Sequence, residues 1–142
     1  MKYTLLPYGV HPSIGTKNSA GIDFYIPDNF KNTILEPKEI IKIPLGVKTI
    51  IPEGYYGEFK DRSSIGSKGI IKLAGIIDSD YRGELILVLQ NNSDSGFILK
   101  SGMKIIQVII KPYLLNNLKE ITIQDFTNDI TDRNDGGFGS TN

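Results

Sequence analysis

Lys104-Ile105-Ile106-Gln107-Val108-Ile109-Ile110-Lys111 is a run of eight residues in which β-branched side chains surround a single amide. Such density of isoleucine and valine favours a pleated, largely buried strand. Its apolar pieces, Ile105–Ile106 and Val108–Ile110, fall far short of the roughly 20 residues needed to cross a bilayer as a helix. Gln107 needs partners inside such a strand, because an unsatisfied buried amide costs about 1–3 kcal/mol. It either cross-links strands or faces a polar ligand.

Similar stretches recur on both sides of this one. They cover Tyr3–Leu6, Gly21–Ile26, Glu39–Ile43, Val47–Ile51, Tyr56–Lys60, Ile70–Leu73, Glu84–Gln90 and Phe97–Leu99, with Glu120–Ile123 as a weaker candidate. Turn chemistry separates them at Pro27-Asp28-Asn29, Pro44, Pro52-Glu53-Gly54, Asn91–Gly96 and Ser101-Gly102. Isoleucine occurs 23 times and alanine twice, the usage of a sheet protein. The expectation is an all-β fold, a distorted sandwich or barrel with jelly-roll-like connections. Only Ser63–Lys68 reads as a short helix, with Ser63 or Ser64 as N-cap and Gly69 as its stop.

A chain of 142 residues has room for one domain. Its β core is expected to run to about residue 115. Beyond Asn116 the composition shifts to Thr, Asn, Asp and Gly, and the sequence closes on DITDRNDGGFGSTN. A disordered tail is one reading of that arm. The other is a lid, since Arg133 and Phe138 offer a cation for phosphate and a ring for a base.

Several function classes fall away on composition. With no cysteine and His11 as the single histidine, thiolate sites, a Cys nucleophile and a multi-His metal centre are excluded. Sixteen basic residues balance sixteen acidic ones, so no basic footprint for nucleic acid or an anionic membrane exists. Pro7 follows the first apolar residues too closely for a secretory signal, and an intracellular, soluble protein is expected.

The chemistry-bearing residues are few. Arg62, Arg82 and Arg133 are the only arginines among thirteen lysines, and the guanidinium fork suits phosphate. Arg62 precedes Ser63 and Ser64 at the start of the expected helix, where free N–H groups favour an anion. Asp78 follows two isoleucines, which points to partial desolvation, a condition for tuning a general base. Asp78 and Asp80 also suit a backbone-bonded turn or a metal–nucleotide pair. Asp23 serves as a turn cap or as a contact to a metal's water shell.

Five segments, in order, resemble the motifs of the homotrimeric, all-β deoxyuridine triphosphate nucleotidohydrolase (dUTPase) family. AGIDF (20–24) is similar to AGxDL, DRSSIG (61–66) to PRSGL, and GIIDSDYRGE (75–84) to GVIDxDYxGE. GMKIIQVI (102–109) resembles GDRIAQLI, and RNDGGFGSTN (133–142) resembles RGxGGFGSTG. The resemblance implies a jelly-roll trimer whose C-terminal arms are exchanged between subunits. It also implies Mg²⁺-dependent hydrolysis of dUTP to dUMP and pyrophosphate by water attack on the α-phosphate. On that basis Asp78 is the catalytic carboxylate, and Tyr81 packs under the deoxyribose. Uracil is read around Gly75, Ile76 and Ile77. Arg62, Ser63, Ser64 and Gln107 bind phosphate. Arg133 reaches the terminal phosphate, and Phe138, with Gly139 and Ser140 beside it, covers the base from a neighbouring subunit. Asp23 contacts the metal through water.

Departures from the family pattern are Asp61 for proline, Ser64 for glycine, Asn134 with Asp135 in the arm, and Asn142 for the final glycine. The sister dCTP deaminases share an Arg-Ser-Ser segment, but Val88 stands where their catalytic Glu belongs. A nucleotide-responsive regulatory protein on the same fold is the alternative from another class. No nucleic-acid or membrane partner is expected, and the compartment implied is the cytoplasm, or the nucleus in a eukaryotic or viral setting.

Overall fold

The computed structural model describes residues 1–114, 118–132 and 134–135. Its strands are β1 (Lys2–Leu5), β2 (Ser13–Ile14), β3 (Ile22–Tyr25), β4 (Thr33–Leu35), β5 (Ile40–Ile50) and β6 (Tyr55–Asp61). They continue with β7 (Ile70–Lys72), β8 (Ile76–Ile77), β9 (Glu84–Asn91), β10 (Phe97–Leu99) and β11 (Lys104–Pro112). Two short helices, α1 (Ser63–Gly66) and α2 (Ile123–Asn128), complete the described elements.

All strand pairing is antiparallel. One sheet has the order β1-β5-β9-β7, the other β2-β3-β11-β6-β8, and β10 pairs with β4 in a small ribbon. The inner faces supply the core. β9 illustrates the period of two, because Leu85, Leu87, Leu89 and Asn91 are buried while Ile86 is exposed. From the facing sheet come Phe24, Phe59, Ile106 and Val108. Each fully buried side chain of this size contributes about 1.5–3 kcal/mol through the water it sheds.

Four expectations need correcting. Glu39–Ile43 and Val47–Ile51 are one strand, β5, with a register shift between Pro44 and Lys48, and Pro44, expected in a turn, pairs with Ile86 inside it. Gly46 takes a φ of 69° inside that shift, which explains why the sequence looks interrupted there. The helix after Arg62 spans Ser63–Gly66 only, and its N-cap is Arg62, with no side-chain cap from Ser63 or Ser64. Gly69, at φ 76°, does close the following turn. Glu120–Ile123 is not a strand; Thr122 caps α2 by accepting from the Asp125 amide at 3.1 Å. A second helix therefore joins the single one expected. Ser13–Ile14 and Ile76–Ile77, of two residues each, are too short to announce themselves in sequence, and Thr33–Leu35 offers only two consecutive apolar residues.

Two buried polar side chains behave oppositely. The Asn91 amide donates to the Leu35 and Ser95 carbonyls at 2.8 Å each, and its oxygen accepts from Ser93. Thr49, 3% exposed, has a buried hydroxyl with no hydrogen-bond partner among the described residues. Asn91→Ala is expected to cost about 3 kcal/mol, whereas Thr49→Val, which removes an orphaned hydroxyl at constant shape, adds about 1 kcal/mol. Urea unfolding measures both.

On the outer face, Glu58 lies between Lys111 and Lys60, at 2.6 Å and 2.5 Å. Hydrogen bonds from Lys111 first and Lys60 second hold its carboxyl down to about 2 from an ordinary 4.5. A depressed folded value means the contribution is full above pH 4.5 and is lost as pH falls through about 2. Thermal melting against pH should show a shallower acid limb in Glu58→Gln than in the native chain.

Candidate active site

The segment after β8 turns sharply before β9 begins. The Tyr81 amide donates to the Asp78 carbonyl at 3.2 Å. Arg82 locks the turn, because its Nη1 donates to the Ser79 carbonyl at 2.7 Å and to the Tyr81 carbonyl at 3.0 Å. Asp78 is exposed rather than desolvated, which corrects the expectation drawn from its two isoleucine neighbours. The chain has left the sheet by this point, so Ile77 turns inward while the next side chain faces outward.

Two hollows meet at Asp78. The smaller, about 320 Å³, is lined by Phe59, Gly75, Ile76, Ile77, Asp78 and Tyr81. The larger, about 820 Å³, shares Ile76 and Asp78 and continues past Glu53, Tyr56, Asp80, Arg82 and Tyr113. Both volumes lie in the range of small-molecule sites. β8 is the outermost strand of its sheet, bonded on one edge to β6, so its other edge presents backbone donors and acceptors. The Gly75 carbonyl continues that pairing by accepting from the Phe59 amide at 2.8 Å.

A second cluster is built across β3, β6 and β11. Asp23 and Gln107 are register partners, and Gln107 also stands opposite Lys60. Arg62 follows the end of β6, where its Nε donates to Asp23 Oδ1 at 2.9 Å and its Nη1 to the Lys104 carbonyl at 3.0 Å. Lys104 Nζ binds the other Asp23 oxygen at 3.1 Å. The Asp23 carboxylate foremost, then the Tyr25 hydroxyl, raises the Lys104 ammonium above the usual lysine range. Asp23 is thus the anion of a two-cation bridge, not a turn cap. Gln107 Nε2 donates to the Asp61 carbonyl at 3.0 Å, which makes the strand cross-link with one of its two N–H groups. Asp61, where the family pattern has proline, accepts from the Lys72 amide at 3.0 Å and so ties β6 to β7.

Of the residues singled out from sequence, Gly75, Ile76, Ile77, Asp78 and Tyr81 gather at the small hollow. Asp23, Arg62 and Gln107 gather at the second cluster, with Ser63 and Ser64 exposed beside it on α1. None of those five lines either hollow. Arg133, Phe138, Gly139 and Ser140 lie outside the described residues. Lys104 was missed, although it sits in the fourth motif as a cation. Tyr8 and Glu84 were also missed; they are 76 positions apart and joined only by folding, through hydrogen bonds of 3.0 and 3.1 Å.

An acid at the mouth of a hollow lined by strand backbone and a tyrosine ring defines a class: an all-β protein with a candidate nucleotide site. Comparison with known proteins narrows the class. The dUTPase family profile matches residues 8–142. The deoxyuridine 5'-triphosphate nucleotidohydrolase of Wolbachia pipientis subsp. Culex pipiens (strain wPip) is 37% identical over 136 residues, covering 92% of this chain and 85% of the relative. That of Candida albicans is 36% identical over 140 residues, covering 98% and 85%. Among solved structures, the dUTPase of Staphylococcus bacteriophage 80alpha with dUPNHPP is 25% identical with a TM-score of 0.86, covering 99% of this chain and 97% of the other. The chain belongs to the dUTPase family.

Gly21 lies against Gln107 so closely that a Cβ there would stand 2.0 Å from Oε1. Gly21→Ala should still fold but melt at a lower temperature, because the flexible amide can swing aside only by giving up its partner. The Gln107–Asp61 bond is lost in doing so, and kcat/KM for dUTP is expected to fall about tenfold. Steady-state kinetics beside a melting curve check this.

Proposed function

We propose that the dUTP hydrolysis characteristic of this family is carried out here at Asp78, giving dUMP and pyrophosphate. The observation that carries the reading is the position of Asp78 on both hollows. A nucleoside seated in the smaller one brings its α-phosphate to this carboxylate, while the remaining phosphates extend into the larger. Asp78 orients a water and takes its proton during attack on the α-phosphorus. The open edge of β8 at Gly75–Ile77 reads uracil by backbone donors and acceptors, so cytosine's exocyclic amine would meet a donor. Tyr81 lies against the sugar and leaves no space for a 2′-hydroxyl. The donor-against-donor mismatch at the base is of the polar kind that discriminates by about 10⁴-fold or more.

Arg62, Ser63, Ser64 and Gln107 act as the phosphate-binding set. Arg62 spends only two of its donations on Asp23 and the Lys104 carbonyl, so further N–H groups remain for an anion. Since this cluster lines neither hollow, a complete site needs more than one copy of the chain, which supports a homotrimer with sites shared between subunits. Arg133, Phe138, Gly139 and Ser140 of the arm close over the phosphates and base, excluding bulk water while Asp78 keeps the one water that attacks. The whole chain, residues 1–142, works as one domain of β core plus arm.

Mg²⁺ prefers hard oxygen ligands, keeps several waters and takes the rest from phosphates. Among the described residues no group of three acidic or imidazole side chains forms a cage. Asp78 and Asp80 open on the larger cleft, a donor set that fits an ion arriving with the triphosphate. Asp23, with lone pairs left beside its two cations, would touch that ion's water shell. The ion would supply neutralisation of charge on the departing diphosphate. A mutant dUTPase from phage phi11 of S. aureus holds a structural Mg(II) ion. No described helix is long and apolar enough to cross a membrane. A nucleotide substrate supports a location inside the cell, where nucleotides are made.

Pyrophosphate release should be measured with dUTP, dCTP, dTTP and UTP in parallel, with and without Mg²⁺. Release from dUTP alone, dependent on Mg²⁺, is expected; tight dUTP binding with no release would favour the regulatory alternative. Asp78→Asn is expected to lower kcat by about 10³-fold with little change in dUTP affinity. Removing Arg133–Asn142 should abolish turnover while sedimentation still gives three times the mass of the shortened chain; a fully active truncation would count against the closing arm.

A further inference from the structure

The Tyr81 ring is held from both ends. Its backbone amide is fixed to the Asp78 carbonyl, and its hydroxyl donates to the Glu84 carbonyl at 3.0 Å. To reach that carbonyl the ring folds over Gly83, where a Cβ would stand 2.3 Å from the Tyr81 hydroxyl oxygen. Glycine is required there by the ring's approach, since no positive φ is involved.

Glu84 is itself anchored. Its Oε1 accepts from the Gly46 amide at 2.7 Å, inside the bulge of β5. Both its carboxylate oxygens accept from the Tyr8 hydroxyl, at 3.0 and 3.1 Å. Partial burial, and then the Glu84 carboxylate, push the Tyr8 hydroxyl above the ordinary tyrosine range, so it remains a donor at neutral pH. The clasp is enforced sterically as well. Gly9 and Gly46 cross so tightly that a Cβ on Gly9 would lie 2.2 Å from the Gly46 oxygen.

We propose that Glu84 is a positioning residue for sugar specificity. Its side chain, clamped by Tyr8 and Gly46, fixes the carbonyl that fixes the Tyr81 ring against the deoxyribose. The inference rests on the reading that Tyr81 carries the sugar. A ring tethered at its hydroxyl cannot retreat to admit a 2′-hydroxyl, whereas an untethered ring can. The clamp therefore acts on the choice between dUTP and UTP more than on the dUTP reaction itself.

The test compares kcat/KM for dUTP with that for UTP in the full-length native chain and in Glu84→Ala, Glu84→Gln, Gly83→Ala and Tyr81→Ala, with melting curves for each. Glu84→Ala is expected to lower the dUTP-over-UTP ratio about tenfold or more, mainly through faster turnover of UTP. Glu84→Gln, which keeps an oxygen for the Gly46 amide and the Tyr8 hydroxyl, should stay within about threefold of native. Gly83→Ala should lose discrimination as Glu84→Ala does, by displacing the ring directly. If Glu84→Ala does not fold, Tyr8→Phe replaces it, since it removes one distant hydroxyl from the clasp; a lowered ratio is then expected. A folded Glu84→Ala, or its Tyr8→Phe substitute, with native discrimination overturns the proposal while Tyr81→Ala still loses it. Native discrimination in Tyr81→Ala overturns instead the assignment of the sugar to Tyr81.

Discussion

β11 is hydrogen-bonded on both edges, to β3 and to β6, and a strand so placed cannot slip by one residue without turning its core side chains to solvent. Ile106 and Val108 hold the inward phase, fully buried or nearly so. The outward phase then fixes Gln107 between Asp23 and Lys60, with Arg62 just past the end of β6. Because β6 also carries β8, the same register sets Gly57 opposite Ile77 and delivers Asp78 to the point where the chain leaves the sheet. The hydrophobic phase of one central strand thereby determines where the acid, the arginine and the amide stand.

Charge is handled economically around that frame. Asp23 and Glu58 are each set between two cations, Arg62 with Lys104 and Lys60 with Lys111. Each acid disperses repulsion that would otherwise build among basic side chains on one sheet face. For Arg62 the arrangement has a functional side, since a guanidinium already aimed by Asp23 loses less rotamer freedom when it meets an anion. Structural pairing and the phosphate-binding role proposed for Arg62 are compatible uses of one side chain.

Strands whose apolar residues stand between clear turn signals were legible from sequence. Glu84–Gln90, Phe97–Leu99 and Lys104–Lys111 fall within a residue of the observed elements. Two-residue strands such as β8 were not, because pairing with a neighbour defines them and local preference does not. The Gly46 bulge made one strand look like two. Motif order marked Asp78, Tyr81, Arg62 and Gln107 without stating how they divide between two clusters. That division depends on sheet order, and no spacing along the chain encodes it. The Tyr8–Glu84 contact was equally hidden. A tyrosine near the start and a glutamate in the middle have no periodic relation until β1, β5 and β9 lie side by side.

The crossing of Gly9 over Gly46 has an effect on how this protein can vary. Two main chains in direct contact act like a rivet between the first segment and the centre of its sheet. A methyl group on either glycine would lever the segment outward, and the strain would pass through the Gly46 amide to the start of β9. The opening residues, remote from the family motifs along the chain, are thus bound to keep pace with them whenever the sequence drifts.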